Sequence, residues 1–515
     1  MPSPAVLRPP RAEPDRKRRT ARRRPAARRG RRLPRGVAGL VAGAGLVGLA
    51  AVLPRLTGTD VQVGTFPPLL ADWRPRVGVG SLPALALAVL AGSGAVGRAA
   101  ERLPWRRLLA AGWLLGLAWM LSLALVDGPR GISRVLDQGT EYLQTARLVT
   151  DIPETLRHFV ERIPFDRPDH WAEHVAGHPP GALLSFVALD RVGLGSGLAA
   201  GLVVVAVAAT TPLGVAVAAR ALGAERQVRV AAPFLVLGPA AIWQAVSADA
   251  MFAAVAAWGL AALALSAAHA PQGSAPQGSA PQGSASRGSA SPGSASQGSA
   301  SRAAPQGPAA HASRGPHAVP AAVWSIMAGL LLGWCVMLSY GLLLLVFVTV
   351  AVLFAAGSLR PLPLTAAAAA VPTLVFAVLG YRWWEAFPVL RERYWSGIAA
   401  DRPTSYWLWA NLAVLALSAG PLLYAAVAHA APQLTRATRH PAYEPLATLV
   451  LASVVTVLAA DLSLMSKSEV ERIWLPFVPW LLLATAYLPQ RSRRPALVVQ
   501  VVTALAIQHL LWSPW

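Results

Sequence analysis

The sequence is poor in cysteine, in lysine and in charge of either sign. Among its 515 residues Cys335 is the single cysteine, which excludes an intrachain disulfide and a zinc site built on cysteines. Lysine occurs only at Lys17 and Lys467, and together with abundant alanine this indicates a GC-rich bacterial genome. Charged residues make up 14% of the chain, apolar residues 55%, and the mean hydropathy is +0.47. This balance argues against a soluble domain and predicts a polytopic membrane protein.

The net charge of +22 comes largely from the N-terminal segment. Fourteen basic residues lie between Arg8 and Arg35, against two acids, Glu13 and Asp15. The segment has neither the aromatic residues nor the core of a nucleic-acid-binding module, and it is too basic to be typical of a cleaved signal peptide. Residues 1–35 are therefore predicted to be a disordered cytoplasmic tail that attracts anionic lipid, with no nucleic acid as partner.

Recurrent apolar runs predict an all-α fold with about 13 transmembrane helices, since about 20 apolar residues cross a bilayer. A further apolar helix near 181–194 is expected to lie at the interface or to re-enter. The predicted spans are 37–55, 81–97, 107–126, 198–219, 228–246, 249–268, 320–338, 341–357, 362–381, 405–429, 444–463, 473–489 and 495–513.

Arginines between the spans predict the orientation in a plasma membrane. They fall in alternate loops, which places the N-terminus in the cytoplasm and the C-terminus outside. Residues 127–180 then form a large extracytoplasmic loop with short interfacial helices. Residues 271–300 are six Ser- and Gly-rich pentads. The low-complexity segment 269–319 is thus predicted to be a cytoplasmic linker between an N-terminal half, 36–268, and a C-terminal half, 320–515.

Two acids stand out in the predicted outer loop, in the stretch "SRVLDQGTEYLQTARLV". Asp137 and Glu141 are four residues apart, at the start of a predicted helix. Each could cap that helix, or one could accept a proton from a hydroxyl at the membrane surface. The residues alone leave both interpretations open.

Two further polar elements mark the starts of apolar helices on the same predicted face. His178 precedes two prolines in "GHPPGALL", and Asp249 opens the helix in "SADAMFAAV". Both are helix-start residues, and an ionisable group that bounds a membrane span is also a candidate functional group. His170 and His174 have the i,i+4 spacing of a metal pair, but no third ligand has suitable spacing. We therefore predict no metal or other cofactor, although a divalent metal stays an unsupported possibility.

The stretch "SKSEVERIWLPFVPW" crowds four charges against a predicted span. Glu471 and Arg472 belong to this group with Lys467 and Glu469. They could form salt bridges at a membrane rim, or the planar guanidinium of Arg472 could hold a phosphate.

The order of these elements resembles the GT-C superfamily of membrane glycosyltransferases, in particular its protein-mannosyltransferase-like (family 39-like) branch of actinobacterial type. "LDQGTEYLQTARLV" is similar to that branch's acidic motif, with Asp137 at the acid position, Tyr142 within the motif and Gln138 in place of the usual second acid. "GHPPGALL", "SADAMFAAV" and "EVERIWLPFVPWL" follow in the family's order. "LLLGWCVMLSYGLLLLV" resembles another family segment but lacks its lysine. The resemblance covers most of residues 107–490.

The resemblance implies transfer of a mannose-like sugar from a polyprenyl-phosphate donor to an acceptor hydroxyl of an envelope glycan, lipid or protein. Asp137 would be the general base of this inverting reaction, and Arg472, with Arg382 or Arg391, would meet the departing phosphate. The other implied substrate-binding residues are Glu141, Tyr142, His178, Asp249 and Glu471. The alternatives are a transporter or lipid flippase, and a catalytically inactive membrane protein of envelope assembly, which the missing second acid and lysine keep open.

Overall fold

The computed structural model describes residues 34–269 and 319–514. The fold is nearly all α-helical, with 75% of the described residues in helices. The predicted basic tail lies outside the described residues except for residues 34 and 35. The predicted low-complexity linker lies outside them except for residues 269 and 319. The predicted all-α class is confirmed.

The part of the chain before the linker forms fourteen α-helices and one short strand. Proline and glycine delimit several of them: Pro104 precedes α4, Gly94 separates α2 from α3 with a φ of 77°, and Pro180 begins α9. The elements are α1 Arg35–Thr57, β1 Asp72–Trp73, α2 Ser81–Gly92, α3 Ala95–Arg102, α4 Trp105–Ala124, α5 Arg130–Ser133, α6 Tyr142–Leu148, α7 Ile152–Arg157, α8 Glu173–Gly177, α9 Pro180–Arg191, α10 Gly197–Ala208, α11 Thr211–Ala221, α12 Glu225–Leu237, α13 Ala241–Gln244 and α14 Ala248–His269. Short 3₁₀ turns add Leu125–Asp127, Val135–Asp137 and Val160–Arg162.

The part after the linker forms eleven α-helices and a second short strand. The elements are α15 Ala321–Leu338, α16 Val346–Ala356, α17 Leu362–Val378, α18 Trp383–Ser396, α19 Ile398–Asp401, α20 Thr404–Ser418, α21 Leu422–Ala437, α22 Pro445–Leu462, α23 Val470–Ile473, α24 Val478–Leu482, α25 Gln490–Leu510 and β2 Leu511–Trp512. Short 3₁₀ turns add Tyr340–Leu345, Pro441–Tyr443 and Leu483–Tyr487. Strands β1 and β2 pair in antiparallel register, with Asp72 opposite Trp512 and Trp73 opposite Leu511.

Six helices among the described residues are long and apolar enough to cross a membrane, or nine if each bent helix pair counts as one span. The six are α1, α4 with the 3₁₀ turn that follows it, the continuous pair α10–α11, α14, α15 and α22. Many large apolar side chains on α1, α2 and α15–α17 are exposed, as expected for helices that face lipid. The chain is thus a membrane protein by the length and composition of its helices. The finer prediction of 13 spans stays a prediction.

The predicted span 405–429 is not one straight helix. Helices α20 and α21 meet at an angle of 98°. Gly420 between them has a φ of 91°, and Pro421 cannot continue the preceding helix. The segment 405–429 is mostly apolar on both sides of this break, so its hydropathy alone did not reveal the break.

Helices from the two sides of the linker pack against each other. The hydroxyl of Ser266 on α14 donates to the carbonyl of Ala321, 2.9 Å away, and lies 2.7 Å from the hydroxyl of Ser325 on α15. The predicted division into two halves stays a prediction, but the halves share this contact.

Two irregular regions meet at one end of the apolar helices. The first is the chain from α5 to the start of α9, which follows the C-terminal end of α4. The second is residues 463–474, between α22 and α24. Most of the buried charged side chains that the sequence singled out belong to these two regions.

Candidate functional site

Five ionisable side chains converge where these regions meet, four of them buried and His178 partly buried, and we call them the charged cluster: Glu141, His174, His178, Asp249 and Arg472. Each comes from the beginning or the interior of a different element. Glu141 directly precedes α6, His174 lies in α8, His178 precedes the Pro-Pro start of α9, Asp249 lies in the first turn of α14, and Arg472 lies in α23.

The guanidinium of Arg472 is the centre of the cluster. Its Nη1 lies 3.3 Å from Glu141 Oε1 and 3.0 Å from His174 Nδ1, and its Nε lies 3.5 Å from Asp249 Oδ2. Its Nη2 lies 3.8 Å from Glu469 Oε2 at the edge of the cluster. Arg472 is 4% exposed and Glu141 3%, so these ion pairs are largely withdrawn from solvent. Burial of a guanidinium is costly unless carboxylates compensate its charge, and several carboxylates surround Arg472.

The bond between Arg472 and His174 fixes the state of the imidazole. Since a guanidinium only donates hydrogen bonds, His174 Nδ1 must accept, and the ring is neutral with its proton on Nε2. Burial lowers the pKa of His174 well below 6.5, and the charge of Arg472 lowers it further. The Nε2 atom lies 3.8 Å from Glu141 Oε1.

His178 has the opposite arrangement. Its Nδ1 lies 2.9 Å from the carbonyl oxygen of His174 and donates to it, so in the neutral ring Nε2 carries the lone pair. That nitrogen lies 4.0 Å from Asp249 Oδ1. Burial lowers the pKa of His178, against the opposing effect of Asp249 and of the His174 carbonyl. Tyr142 and Phe252 pack against the ring and hold it in place.

Glu141 has the most unusual carboxylate of the cluster. Burial raises its pKa to about 7, in spite of the nearby charge of Arg472, and the neighbouring Asp249 adds to the rise. Its Oε2 is buried and has no hydrogen-bond partner among the described residues. A carboxylate with one uncommitted oxygen and a pKa near neutrality can accept and release a proton at physiological pH.

Tyr142 supports this carboxylate through packing. Its ring stacks on Phe186 of α9 with centroids 5.0 Å apart. Burial raises the pKa of Tyr142 well above 10, so the phenol stays protonated. Its hydroxyl is a buried donor without a hydrogen-bond partner among the described residues.

A cavity of about 180 Å³ adjoins the charged cluster. His174 and His178 form part of its wall, and three buried cations form another part: Arg393, Arg402 and Lys467. Glu173, Glu469 and Ser468 also line it, and Phe165, Leu390 and Ile398 give it an apolar side. The Ser468 hydroxyl is buried and has no hydrogen-bond partner among the described residues. A space of mixed charge with an apolar side suits a polar molecule larger than water.

The three cations of this wall hold the surrounding backbone. Arg393 donates to the carbonyls of Ile163 and Trp171, and its guanidinium stacks on the ring of Phe165. The ammonium of Lys467 donates to the carbonyls of Ala399 and Arg402, 2.9 and 3.0 Å away. These cations therefore both shape the cavity and give its wall positive charge.

The cavity wall around Lys467 has a constrained backbone. Ser468 and Glu469 have φ values of 74° and 63°, which non-glycine residues rarely adopt. The side chain of Asn411 on α20 holds this loop: its amide nitrogen donates to the Ser466 carbonyl at 2.7 Å, and its oxygen accepts from the Ser468 amide at 3.2 Å. Arg402 donates to Lys467 O at 2.6 Å and to Glu469 Oε1 at 3.1 Å. Such strain persists only where the surroundings enforce it.

Several residues predicted from sequence come together here, and others do not. The structure unites Glu141, Tyr142, His178, Asp249 and Arg472. Asp137 instead pairs with Arg147, Oδ1 to Nη1 at 2.8 Å, and its side chain is 41% exposed. The assignment of Asp137 as general base thus stays a prediction, and the geometry favours Glu141.

The other predicted cations, Arg382 and Arg391, lie on the surface, and Glu471 lines a different cavity. Arg382 is exposed and pairs with Glu385 one helical turn away, and Arg391 is exposed on α18. Glu471 is buried and lines a second, smaller polar cavity of about 40 Å³ with Asp127 and Arg134. A role of these three residues in substrate binding stays a prediction.

Sequence reasoning missed the parts played by His174, Arg393 and Arg402. His174 was noticed only for its spacing from His170, and the described residues contain no group of three or more His, Cys, Asp or Glu side chains that could hold a metal ion. Arg393 lies two residues from Arg391, and the sequence gives no sign of which arginine points inward. Arg402 directly follows Asp401 in the sequence, and this pair of opposite charges gives no sign that the arginine is enclosed.

Comparison with known proteins gave no relative: no protein-family model, no curated protein and no solved structure matches the chain.

Proposed function

We propose that the protein transfers a sugar from a polyprenyl-phosphate donor to an acceptor hydroxyl at the outer face of the plasma membrane. The observation that carries this proposal is Glu141, a buried carboxylate with an uncommitted oxygen, beside a cavity that has cations in its wall. The resemblance to membrane glycosyltransferases supports it, as does the position of both features at one end of the apolar helices. The 13-span topology and a cytoplasmic N-terminus are parts of the same proposal.

In the proposed reaction Glu141 takes the proton of the acceptor hydroxyl. The hydroxyl oxygen attacks the anomeric carbon of the sugar, and the bond from that carbon to the phosphate oxygen breaks with inversion of configuration. The electron pair leaves with the polyprenyl phosphate. Arg472 and His174 keep the Glu141 carboxylate in position, and His174 does not compete for the proton because its lone-pair nitrogen, Nδ1, accepts from Arg472.

The departing phosphate gains negative charge, and preorganised cations stabilise such charge. Arg393 and Arg402 are the arginines that line the cavity, whereas Arg382 and Arg391 are exposed. We therefore assign the phosphate to the cavity wall, and we retain Arg472 as the cation nearest to the proposed base. The sugar would occupy the cavity between them.

The experiment compares two carboxylates. Purified protein is incubated with polyprenyl-phosphate mannose and an envelope extract, as wild type, Glu141→Gln and Asp137→Asn. Because a positioned base contributes about 10²- to 10⁴-fold, we expect Glu141→Gln to lose turnover by that factor and Asp137→Asn to keep most of it. Glu161→Gln, at an exposed acid paired with His158, is the matched control.

Each result decides a specific point. Loss of transfer in Asp137→Asn with full activity in Glu141→Gln would return the role of base to Asp137. Wild-type protein that transfers no sugar from any polyprenyl-phosphate donor would contradict the proposed function. Lipid translocation that needs neither carboxylate would then favour a flippase.

A further inference from the structure

Residues 511–514 lie across the segment that leads to Glu141. Strand β2 pairs with β1, and Arg76 donates to the Leu511 carbonyl and pairs with Asp127. The guanidinium of Arg134 lies 5.1 Å from the centroid of the Trp512 ring, within the range of a cation–π contact. Residues 511–514 are therefore attached both to the chain before α2 and to the chain between α5 and α6.

Gln138 joins this segment to Glu141. Its side-chain Nε2 donates to the Pro514 carbonyl at 3.0 Å. Its backbone carbonyl accepts from the Glu141 amide, also at 3.0 Å. Since a carbonyl only accepts, the contact with Pro514 needs the amide NH₂ of Gln138. Two hydrogen bonds thus lead from residues 511–514 to the backbone of Glu141.

A third hydrogen bond closes the same turn. Gln144 Nε2 donates to the Asp137 carbonyl at 2.7 Å, and so ties the first turn of α6 to the residue before Gln138. The turn 137–141 is therefore held at both ends, while its outer part at Gly139 and Thr140 is exposed. The turn has no apolar side chain of its own to bury, so its position depends on polar contacts. Besides these three, the His174 amide donates to the Thr140 carbonyl at 3.0 Å and Arg147 pairs with Asp137.

We propose that Gln138 is a positioning residue for Glu141, held by residues 511–514 through the Pro514 carbonyl and the Trp512–Arg134 contact. The expected effect on sugar transfer rests on the proposed function, in which Glu141 is the base. The expected effect on the conformation of the turn 137–141 does not depend on that function. A displacement of the carboxylate by about 1 Å from its productive position can lower a rate by about 100-fold.

The experiment uses the full-length protein in lipid nanodiscs and two variants that break the connection. Gln138→Glu keeps the size of the side chain but places a carboxylate oxygen against the Pro514 carbonyl, and Trp512→Ala removes the ring that contacts Arg134. Trp512→Phe keeps an aromatic ring there. Leu510→Ala, which removes an exposed apolar side chain just before β2, is the control.

The first measurement is hydrogen exchange of peptides that cover residues 135–144, without any substrate. Loss of the Gln138–Pro514 hydrogen bond in Gln138→Glu, or of the Trp512–Arg134 contact in Trp512→Ala, should raise exchange there about 3- to 10-fold. Trp512→Phe and Leu510→Ala should exchange like wild type. Unchanged exchange in Gln138→Glu would overturn the proposed connection.

The second measurement is sugar transfer by the same samples. A positioning role predicts that kcat falls about 10-fold or more in Gln138→Glu while KM for the donor stays within about twofold, because the cavity wall is untouched. Faster exchange with unchanged kcat would overturn the positioning role. Faster exchange in a protein whose wild type transfers no sugar would support the connection and contradict the proposed function.

Discussion

Arg472 and His174 are joined by a hydrogen bond of defined direction, from Nη1 to Nδ1 over 3.0 Å. The bond leaves His174 neutral, so Arg472 is the fixed cation among the carboxylates of Glu141, Asp249 and Glu469. The cluster therefore holds more potential negative than positive charge. The cluster depends on Arg472, and burial raises the pKa of the Glu141 carboxyl to about 7.

Removal of the Arg472 charge should destabilise the protein strongly. Arg472→Gln leaves Glu141 and Asp249 buried without their cation, a change that typically costs about 3–5 kcal/mol. Thermal unfolding in detergent should show a large fall in Tm. Arg382→Gln is the matched control, because its pair with Glu385 is 56% and 51% exposed and should change stability by less than about 1 kcal/mol. Equal melting of the two variants would contradict the central position of Arg472.

The pH dependence of stability should reveal the Glu141 carboxyl. Its folded pKa of about 7 lies above its ordinary value of 4.5, so the folded state favours the protonated form. The stability that this group contributes is complete below about pH 4.5 and is lost as the pH rises through about 7. Relative to Glu141→Gln, which cannot ionise, wild type should lose on the order of 3 kcal/mol across that window.

The measurement is the free energy of unfolding of wild type and Glu141→Gln between pH 4.5 and 8.5. The difference between the two proteins should change with pH. A difference for Glu141→Gln that is flat over the whole range would show that the carboxyl is not perturbed.

The sequence predicted the helical membrane class because long apolar runs allow few other structures. It also found His178, Asp249 and Arg472, since charges at the ends of apolar helices are rare enough to notice. The resemblance ranked Asp137 above Glu141 as the base. From the residues alone both stand at the start of a helix, and only the packing of α8, α9 and α23 decides which one is enclosed. Likewise, the break between α20 and α21 depends on one glycine and one proline inside a run that is mostly apolar.

Asn411 should determine the conformation of the loop beside the cavity. In Asn411→Leu the Ser468 amide loses its acceptor and the Ser466 carbonyl and Asp461 lose a donor, which costs about 1–3 kcal/mol for each buried group. Ser468 and Glu469 can then leave their left-handed conformation. Hydrogen exchange should increase in residues 464–470.

The control is Leu408→Ala on the same helix, where the side chain is 40% exposed. This variant should leave exchange in residues 464–470 unchanged. If Asn411→Leu also leaves it unchanged, the loop keeps its conformation without the Asn411 side chain, and the role assigned to this residue is wrong.

Glycine substitutions should distinguish close helix packing from mere helix propensity. Gly329 and Gly333 lie one turn apart on α15, and a methyl group on either would lie against the backbone of α17, at Thr365 or Ala369, closer than van der Waals contact allows. Gly333→Ala must therefore move the two helices apart and should lower stability by about 1–3 kcal/mol. Gly45 on α1 has nothing within 4 Å of the same position, so Gly45→Ala should be neutral or raise stability by up to about 1 kcal/mol through its better helix propensity. Thermal unfolding should therefore show a lower Tm for Gly333→Ala and an unchanged or slightly higher Tm for Gly45→Ala. A Gly333→Ala protein as stable as wild type would show that α15 and α17 tolerate a wider separation.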